Sequence, residues 1–185
     1  MVEIARATIQ AQYQAIGELM TEYIAWDADQ TAKLGVDTQV FLAFYYGSEA
    51  ETLPGKFAPP HGCLLLATLD GQAAGCVGYR QLSEGVCELK RLYVRPICRG
   101  KGIGRLLAAE LIEQARLSDY RKVRLETASF MPEAHQLYQS LGFEFRLPYY
   151  EIPESLREST YFMELRLDES GKTNDKNSDI GRTAA

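Results

Sequence analysis

The feature that most constrains this chain lies near its middle, where an apolar strand pattern at residues 88–94 leads into a basic, glycine-rich turn and then into a helix. A helix N-terminus presents unpaired backbone N–H groups and the positive end of its dipole, so it favours a phosphate. Glycines there keep side chains away from the N–H groups, and basic residues add charge. The segment therefore predicts a pyrophosphate site formed by Arg99, Gly100, Lys101, Gly102, Ile103, Gly104 and Arg105.

Two other phosphate-binding motifs do not fit this segment. The phosphate loop of nucleoside triphosphatases needs a Ser or Thr after its Gly-Lys pair, and neither residue occurs between residues 84 and 117. The dinucleotide pattern Gly-x-Gly-x-x-Gly also fails, because Arg105 or Leu107 stands where the third glycine belongs. Neither class of nucleotide-binding protein is favoured.

Hydrophobic periodicity predicts the element order βααβββαβαββ. Asp37 is a candidate cap for the second helix, Asp70-Gly71 predicts a tight hairpin, and Pro132 and Gly142 bound the last helix. The predicted strands are residues 3–8, 63–69, 72–80, 87–94, 122–127, 143–146 and 161–167, and the predicted helix before the fifth strand is residues 102–117.

The rest of the chain predicts one domain, residues 1–167, followed by a disordered polar tail, residues 168–185. No apolar run approaches the roughly 18 residues of a membrane span, and no secretory signal is visible, so we expect a cytoplasmic protein without membrane contact. A net charge of −5 argues against nucleic-acid binding, and although Lys90, Arg91 and Arg95 extend the basic cluster, the acidic remainder of the chain disfavours a nucleic-acid partner.

The four cysteines, Cys63, Cys76, Cys87 and Cys98, lack the paired spacing of a metal site. At least three fall in apolar strand patterns, where a free cysteine behaves as a small buried hydrophobe. We expect buried thiols and no metal.

Two motifs resemble the signatures of the GNAT superfamily of N-acetyltransferases. The residues Arg99-Gly100-Lys101-Gly102-Ile103-Gly104 match the family's pyrophosphate loop, Arg/Gln-x-x-Gly-x-Gly/Ala, and Ala134-x-x-Leu137-Tyr138-x-x-x-Gly142-Phe143 looks like its second signature. The resemblance covers roughly residues 3–167. It implies a single α/β (α+β) domain with a mixed, mostly antiparallel twisted sheet of about seven strands, flanked by helices and splayed at its centre.

The resemblance also implies that acetyl-CoA is the acyl donor, that the partner is an amine acceptor, and that the protein is a monomer or a homodimer. The pantetheine arm would lie against the main chain of Leu92, Tyr93 and Val94, whose N–H groups could also stabilise an oxyanion. Many members carry Asn where this chain has Met131, so a hydrogen bond from that Asn to the cofactor or the acceptor is not carried over to this chain.

The resemblance suggests an acid and a base. Tyr138 matches the tyrosine that protonates the departing thiolate; alternatively it only packs the helix. Glu88 resembles the family's strand-borne base, and a partly dry cleft would raise its pKa towards neutrality. Alternatively Glu88 pairs with Lys90, and water is the base. Tyr45, Tyr46, Tyr149, Tyr150 and Tyr161 could wall the acceptor pocket or belong to the core.

The function predicted is acetyl transfer to a primary amine by direct attack. The alternative is a catalytically silent CoA-binding or regulatory module on the same fold. The acceptor stays open between a small amine, an amino acid, an antibiotic and a protein N-terminus, and the acidity of the chain favours a cationic one.

Overall fold

The computed structural model describes residues 1–47 and 52–167, so the predicted tail at 168–185 lies outside the described residues. The elements follow the predicted order. The strands are β1 Val2–Arg6, β2 Cys63–Leu69, β3 Gln72–Ser83, β4 Val86–Val94, β5 Lys122–Ala128, β6 Glu144–Arg146 and β7 Thr160–Arg166, and the helices are α1 Gln10–Ala32, α2 Thr38–Tyr45, α3 Ile103–Leu117 and α4 Pro132–Ser140.

The described strands form a seven-stranded sheet in the order β1-β2-β3-β4-β5-β7-β6. Neighbouring strands are antiparallel except for β4 and β5, which are parallel and joined through α3. The predicted hairpin between β2 and β3 is confirmed, because Asp70 and Gly71 have φ values of 50° and 79°, the left-handed conformation of a two-residue turn. This sheet with its flanking helices confirms the predicted fold class.

The alternation of side chains along the strands builds a core on each face of the sheet. Leu65 faces α3 and packs with Leu107 and Leu111, whereas its neighbours Leu64 and Leu66 face the opposite side. On that side they meet the apolar stripe of α1, formed by Ile16, Leu19 and Met20. The sheet is therefore held between helices, and its middle strands are fixed from both sides.

The sheet opens at its centre. The strands β4 and β5 pair only from Val86 opposite Lys122 to Glu88 opposite Arg124, although both continue for several residues. Beyond Glu88, β4 stays paired with β3 and β5 stays paired with β7, so the two strands diverge. The splayed centre predicted for this fold is present, and it leaves a wedge between the ends of β4 and β5.

A β-bulge in β4 lies at the beginning of the wedge. Between the pairs Cys76–Tyr93 and Gly78–Lys90, β3 contributes one residue and β4 contributes two, Arg91 and Leu92. Arg91 has φ of 61°, as expected for an extra residue that bends its strand. The bulge thus bends β4 within the part that no longer pairs with β5.

Candidate active site

An outer groove of about 550 Å³ runs from the wedge to the start of α3. One wall is the end of β4, and the other is formed by α4 and the loop before it. Of the predicted cofactor residues, the groove is lined by Leu92, Tyr93, Val94, Arg99, Gly100, Gly102, Ile103, Gly104 and Arg105. A sequence segment predicted as one site is therefore one continuous surface.

The start of α3 presents unpaired donors to this groove. The first helical hydrogen bond joins the Leu106 N–H to the Gly102 carbonyl at 3.1 Å, so the preceding N–H groups lie before the helical hydrogen-bond ladder. Gly100 and Gly102 have φ of 76° and 74°, and a Cβ at either position would meet no atom within 4 Å. Glycine is favoured at both positions by the left-handed backbone, and the space around them suits an anion.

The basic residues of the turn differ in their placement. Arg99 donates from Nε to the Val94 carbonyl at 3.1 Å, and its guanidinium lies 5.9 Å from the centre of the Trp26 ring. Arg105 donates to the Ser140 hydroxyl at 2.6 Å. Lys101 is exposed and does not line the groove. Arg99 and Arg105 are thus held at the mouth of the groove, where they can meet a phosphate.

An inner cavity of about 100 Å³ lies deeper in the wedge. It is bounded by α1, α2, the bulged part of β4 and the end of β5. Five residues line both the groove and the cavity, so the two spaces meet along a common wall: Tyr23, Leu92, Phe130, Met131 and Ala134. A molecule that filled the groove would reach this wall.

Tyr138 lies in the inner cavity rather than in the outer groove. It is buried, and its ring packs against Phe143. Burial raises the pKa of its phenol above the usual value of 10, so the hydroxyl carries its proton throughout the neutral range. The geometry suits a proton donor next to the common wall.

Glu88 lies where β4 and β5 separate and lines neither space. Its Oε2 receives a hydrogen bond from Arg80 at 2.7 Å and lies 3.7 Å from the Lys90 ammonium, while its Oε1 receives one from Tyr149 at 2.7 Å. Burial acts to raise the pKa of Glu88, but Lys90, Arg80 and the Tyr149 hydrogen bond outweigh it, and the pKa is lowered. The expectation of a pKa raised towards neutrality is wrong, whereas the predicted pairing with Lys90 is present.

The carboxylates of the inner cavity are Asp27 of α1 and Glu126 of β5. Asp27 accepts a hydrogen bond from Tyr46 on Oδ2, and Glu126 pairs with Lys90 through Oε1. Burial raises the pKa of Asp27 to about 6, with Tyr46 and Arg91 acting to lower it and Glu126 acting to raise it. A titration near neutral pH therefore belongs to Asp27 and not to Glu88.

The five tyrosines considered for the acceptor pocket separate in the structure. Tyr45 and Tyr46 line the inner cavity. Tyr149 donates to Glu88 and packs against Tyr150 in a different depression, and Tyr161 is 43% exposed. Of the five, Tyr45 and Tyr46 therefore line the same cavity as Tyr138.

Sequence reasoning missed Asp27, Glu126 and the polar end of α1. The available signal was the buried stripe of α1, in which Ile16 and Met20 are followed at helical spacing by Asp27 and Thr31. A carboxylate on the buried face of an otherwise apolar stripe indicates a functional position, because charged residues are seldom fully buried without a partner.

The four cysteines are free and buried, as predicted. Burial raises the pKa of Cys63 to about 11 and of Cys76 and Cys87 to about 12, so these thiols are not activated nucleophiles. Within residues 1–47 and 52–167, no group of three or more His, Cys, Asp or Glu side chains could hold a metal ion. None of the helices in these ranges is long and apolar enough to cross a membrane.

Residues 20–143 match the model of the Acetyltransferase (GNAT) family. An uncharacterized N-acetyltransferase of Schizosaccharomyces pombe is 42% identical over 100 residues, which are 53% of this chain and 61% of that protein. The human N-acetylaspartate synthetase is 41% identical over 86 residues, 46% of this chain and 28% of that protein. The match spans less than two thirds of each relative.

Solved structures share the fold across nearly the whole chain. The PaiA N-acetyltransferase of Thermoplasma acidophilum, solved in complex with coenzyme A, has a TM-score of 0.67 at 19% identity and covers 90% of this chain and 99% of its own. The ribosomal-protein-S18-alanine N-acetyltransferase of Escherichia coli has a TM-score of 0.61 at 17% identity and covers 97% of this chain and 100% of its own. At these identities the likeness establishes the fold.

Proposed function

Because the chain belongs to the GNAT acetyltransferase family, we propose that it transfers the acetyl group of acetyl-CoA to a primary amine. The observation that carries this proposal is the common wall between the outer groove and the inner cavity. A donor in the groove and an acceptor in the cavity would meet there without either crossing the sheet. Orienting two reactants in this way supplies much of the rate enhancement of a bimolecular transfer.

The donor would be held by its pyrophosphate at the start of α3. The N–H groups there and the cations Arg99 and Arg105 complement a diphosphate, and the open space at Gly100 and Gly102 admits it. The pantetheine arm would follow Leu92 to Val94, where β4 no longer pairs with β5. Acetyl-CoA supplies the thioester carbonyl on which the acceptor acts.

The protein would assist the transfer at two atoms. A backbone N–H at the open edge of β4 can donate to the carbonyl oxygen as negative charge develops there. The Tyr138 hydroxyl, protonated at neutral pH, can donate its proton to the departing sulfur. Both donors are fixed by packing before the reactants arrive.

The base proposed is water rather than Glu88. Both carboxylate oxygens of Glu88 are occupied by Arg80 and Tyr149, and its lowered pKa makes it a weak proton acceptor at neutral pH. Glu88 would instead hold Lys90 in place at the base of the wedge. This follows the alternative in which Glu88 forms a structural ion pair.

Aspartate is a second acceptor to assay, because the relatives include N-acetylaspartate synthetases. Lys90 and Arg91 in the lining of the inner cavity are the groups that could meet its carboxylate, but both already have hydrogen-bond partners within the chain, which disfavours aspartate against a simple amine. Aspartate and simple primary amines therefore belong in the same screen.

Thermal melting with added ligands tests donor binding. A ligand that binds only the folded state stabilises it by about 2.7 kcal/mol at a hundredfold excess over its Kd, so acetyl-CoA and CoA should both raise the melting temperature. NAD and ATP should raise it much less. An equal shift with ATP would refute the assignment of the groove.

Release of free thiol from acetyl-CoA in the presence of each amine then tests transfer. Acetylated product, identified by mass, is the expected result. Donor binding without turnover for any amine would favour the silent CoA-binding module instead.

A further inference from the structure

The inner cavity contains more hydrogen-bonding oxygens than its own residues satisfy. In the described part of the chain, four polar oxygens of its lining have no hydrogen-bond partner: Asp27 Oδ1, Thr31 Oγ1, Glu126 Oε2 and Thr127 Oγ1. Asp27, Thr31 and Thr127 are more than nine-tenths buried. Buried oxygens without partners are unfavourable, so a ligand that brings hydrogen-bond donors would be stabilised here.

The cations of the cavity already have partners. The Lys90 ammonium pairs with Glu126 and lies 3.7 Å from Glu88. The Arg91 guanidinium donates to the Tyr45 carbonyl and lies 4.1 Å from the centre of the Tyr46 ring. Because the positive groups are engaged while two carboxylate oxygens are not, the site is better prepared for a cation than for an anion.

The size and walls of the cavity limit the cation. An engineered apolar cavity of about 150 Å³ admits benzene, so a cavity of about 100 Å³ suits a short chain of a few heavy atoms. Aromatic side chains form much of the wall, and the face of an aromatic ring attracts a positive charge: Tyr23, Phe41, Tyr45, Tyr46, Phe130 and Tyr138.

We propose that the inner cavity binds the acceptor as a small alkylammonium ion, with its ammonium between Asp27 and Glu126 and no carboxylate on the adjacent carbon. The three N–H donors of an ammonium match the unpartnered oxygens of these two side chains and of Thr127. A carboxylate next to the amine would come close to two buried carboxylates and would be repelled. The proposal rests on the proposed function for the fate of the amine, but binding can be measured without turnover.

The test is a calorimetric titration of the protein saturated with CoA, which cannot transfer an acetyl group. The probes are butylamine, its α-carboxylated counterpart 2-aminopentanoate, and aspartate. Butylamine should bind, and the two amino acids should bind at least tenfold more weakly. Tighter binding of either amino acid, or no binding of butylamine, would overturn the proposal.

Two variants locate the ammonium. Asp27→Asn keeps the shape of the side chain and an oxygen for Tyr46, and it should weaken butylamine binding at least tenfold. Asp29→Asn is the matched control, since Asp29 is on the same helix, is exposed, and pairs with Lys33 at 2.7 Å; it should leave binding unchanged. Equal affinity in Asp27→Asn and the natural protein would overturn the proposal.

Melting temperature and CoA affinity show whether Asp27→Asn is folded, and Glu126→Gln replaces it in the same titration if it is not. The proposal and the proposed function fail in different ways. Butylamine binding that depends on Asp27, without acetylation of butylamine or any other amine in the screen, would leave the binding site standing and remove the proposed function. Acetylation of butylamine with an unchanged KM in Asp27→Asn would support the proposed function and overturn the assignment of the ammonium to Asp27.

Discussion

Asp27→Asn should stabilise the protein at neutral pH, although it removes a charge from the candidate site. Asp27 is only 5% exposed, and burial raises its pKa from 3.8 to about 6. Raising a pKa by one disfavours the ionised form by about 1.36 kcal/mol, so ionised Asp27 destabilises the folded state by roughly 3 kcal/mol at pH 7. A neutral side chain of the same shape should recover up to that amount.

The gain should depend on pH with a definite sign. Between pH 4 and pH 6 the folded protein holds a proton on Asp27 that the unfolded chain has lost, so lowering the pH through this range stabilises the natural protein. The titratable and charged groups that interact with Asp27 are Tyr23, Tyr45, Tyr46, Arg91 and Glu126, and Glu126 acts in the same direction as burial. The advantage of Asp27→Asn should therefore shrink to about 1 kcal/mol near pH 4.5.

Urea unfolding at pH 7.5 and at pH 4.5 measures both effects. Asp29→Asn serves as the control, because an exposed ion pair contributes less than about 1 kcal/mol and should show no comparable pH-dependent gain. A variant that is less stable than the natural protein at pH 7.5, or equally stabilised at both pH values, would refute the reasoning. The first result would mean that the ionised carboxylate has partners that compensate for its burial.

Three further predictions concern the donor side and the proton transfers. Tyr138→Phe should lower kcat by about 10²- to 10⁴-fold while acetyl-CoA affinity, measured by titration, stays near its natural value; an unchanged kcat would reduce Tyr138 to helix packing. Gly102→Ala should weaken acetyl-CoA binding and should also lower the free energy of unfolding by about 1 kcal/mol, because alanine is strained in the left-handed conformation. Gly71→Ala is the control: Gly71 has a similar left-handed φ and equally open space but lies in the β2–β3 hairpin, so this variant should lose about the same stability in urea unfolding and keep its acetyl-CoA affinity. Equal acetyl-CoA affinities would remove Gly102 from the donor site. Glu88→Gln should lower the free energy of unfolding at pH 7 but less so below pH 4.5, because the lowered pKa of Glu88 stabilises the fold only while the carboxylate is ionised. A shift in the acidic limb of the pH–rate profile of Glu88→Gln would instead identify Glu88 as the base.

The donor side could be predicted from sequence because it is nearly contiguous. The predicted donor residues lie at the end of β4 and the start of α3, which are separated by a short turn, and helix termini and glycines have local signatures. The opening between β4 and β5 was expected from family resemblance. The bulge at Arg91, in the part of β4 that no longer pairs with β5, is a three-dimensional feature of pairing with β3 that no local pattern indicates.

The environment of Glu88 shows where local reasoning fails. Its position on β4 was predicted from the strand pattern, but its pKa is decided by Arg80 on the neighbouring strand and by Tyr149, sixty-one residues further along the chain. Burial alone would raise the pKa, and only the partners reverse the direction. A strand pattern gives the position of a residue in the sheet but not the charges that surround it.

The acceptor side combines residues from α1, α2, β4 and β5, so its chemistry exists only in the folded protein. Asp27 is the informative member, because an asparagine there would accept the Tyr46 hydrogen bond without the free energy that a buried charge requires. Ionised Asp27 therefore lowers the free energy of unfolding, although its hydrogen bond with Tyr46 does not require the charge. Residues of this kind concentrate at binding and catalytic sites, where stability is lost to function. An ammonium that pairs with the Asp27 carboxylate should stabilise the folded protein, so butylamine should raise the melting temperature of the natural protein more than that of Asp27→Asn.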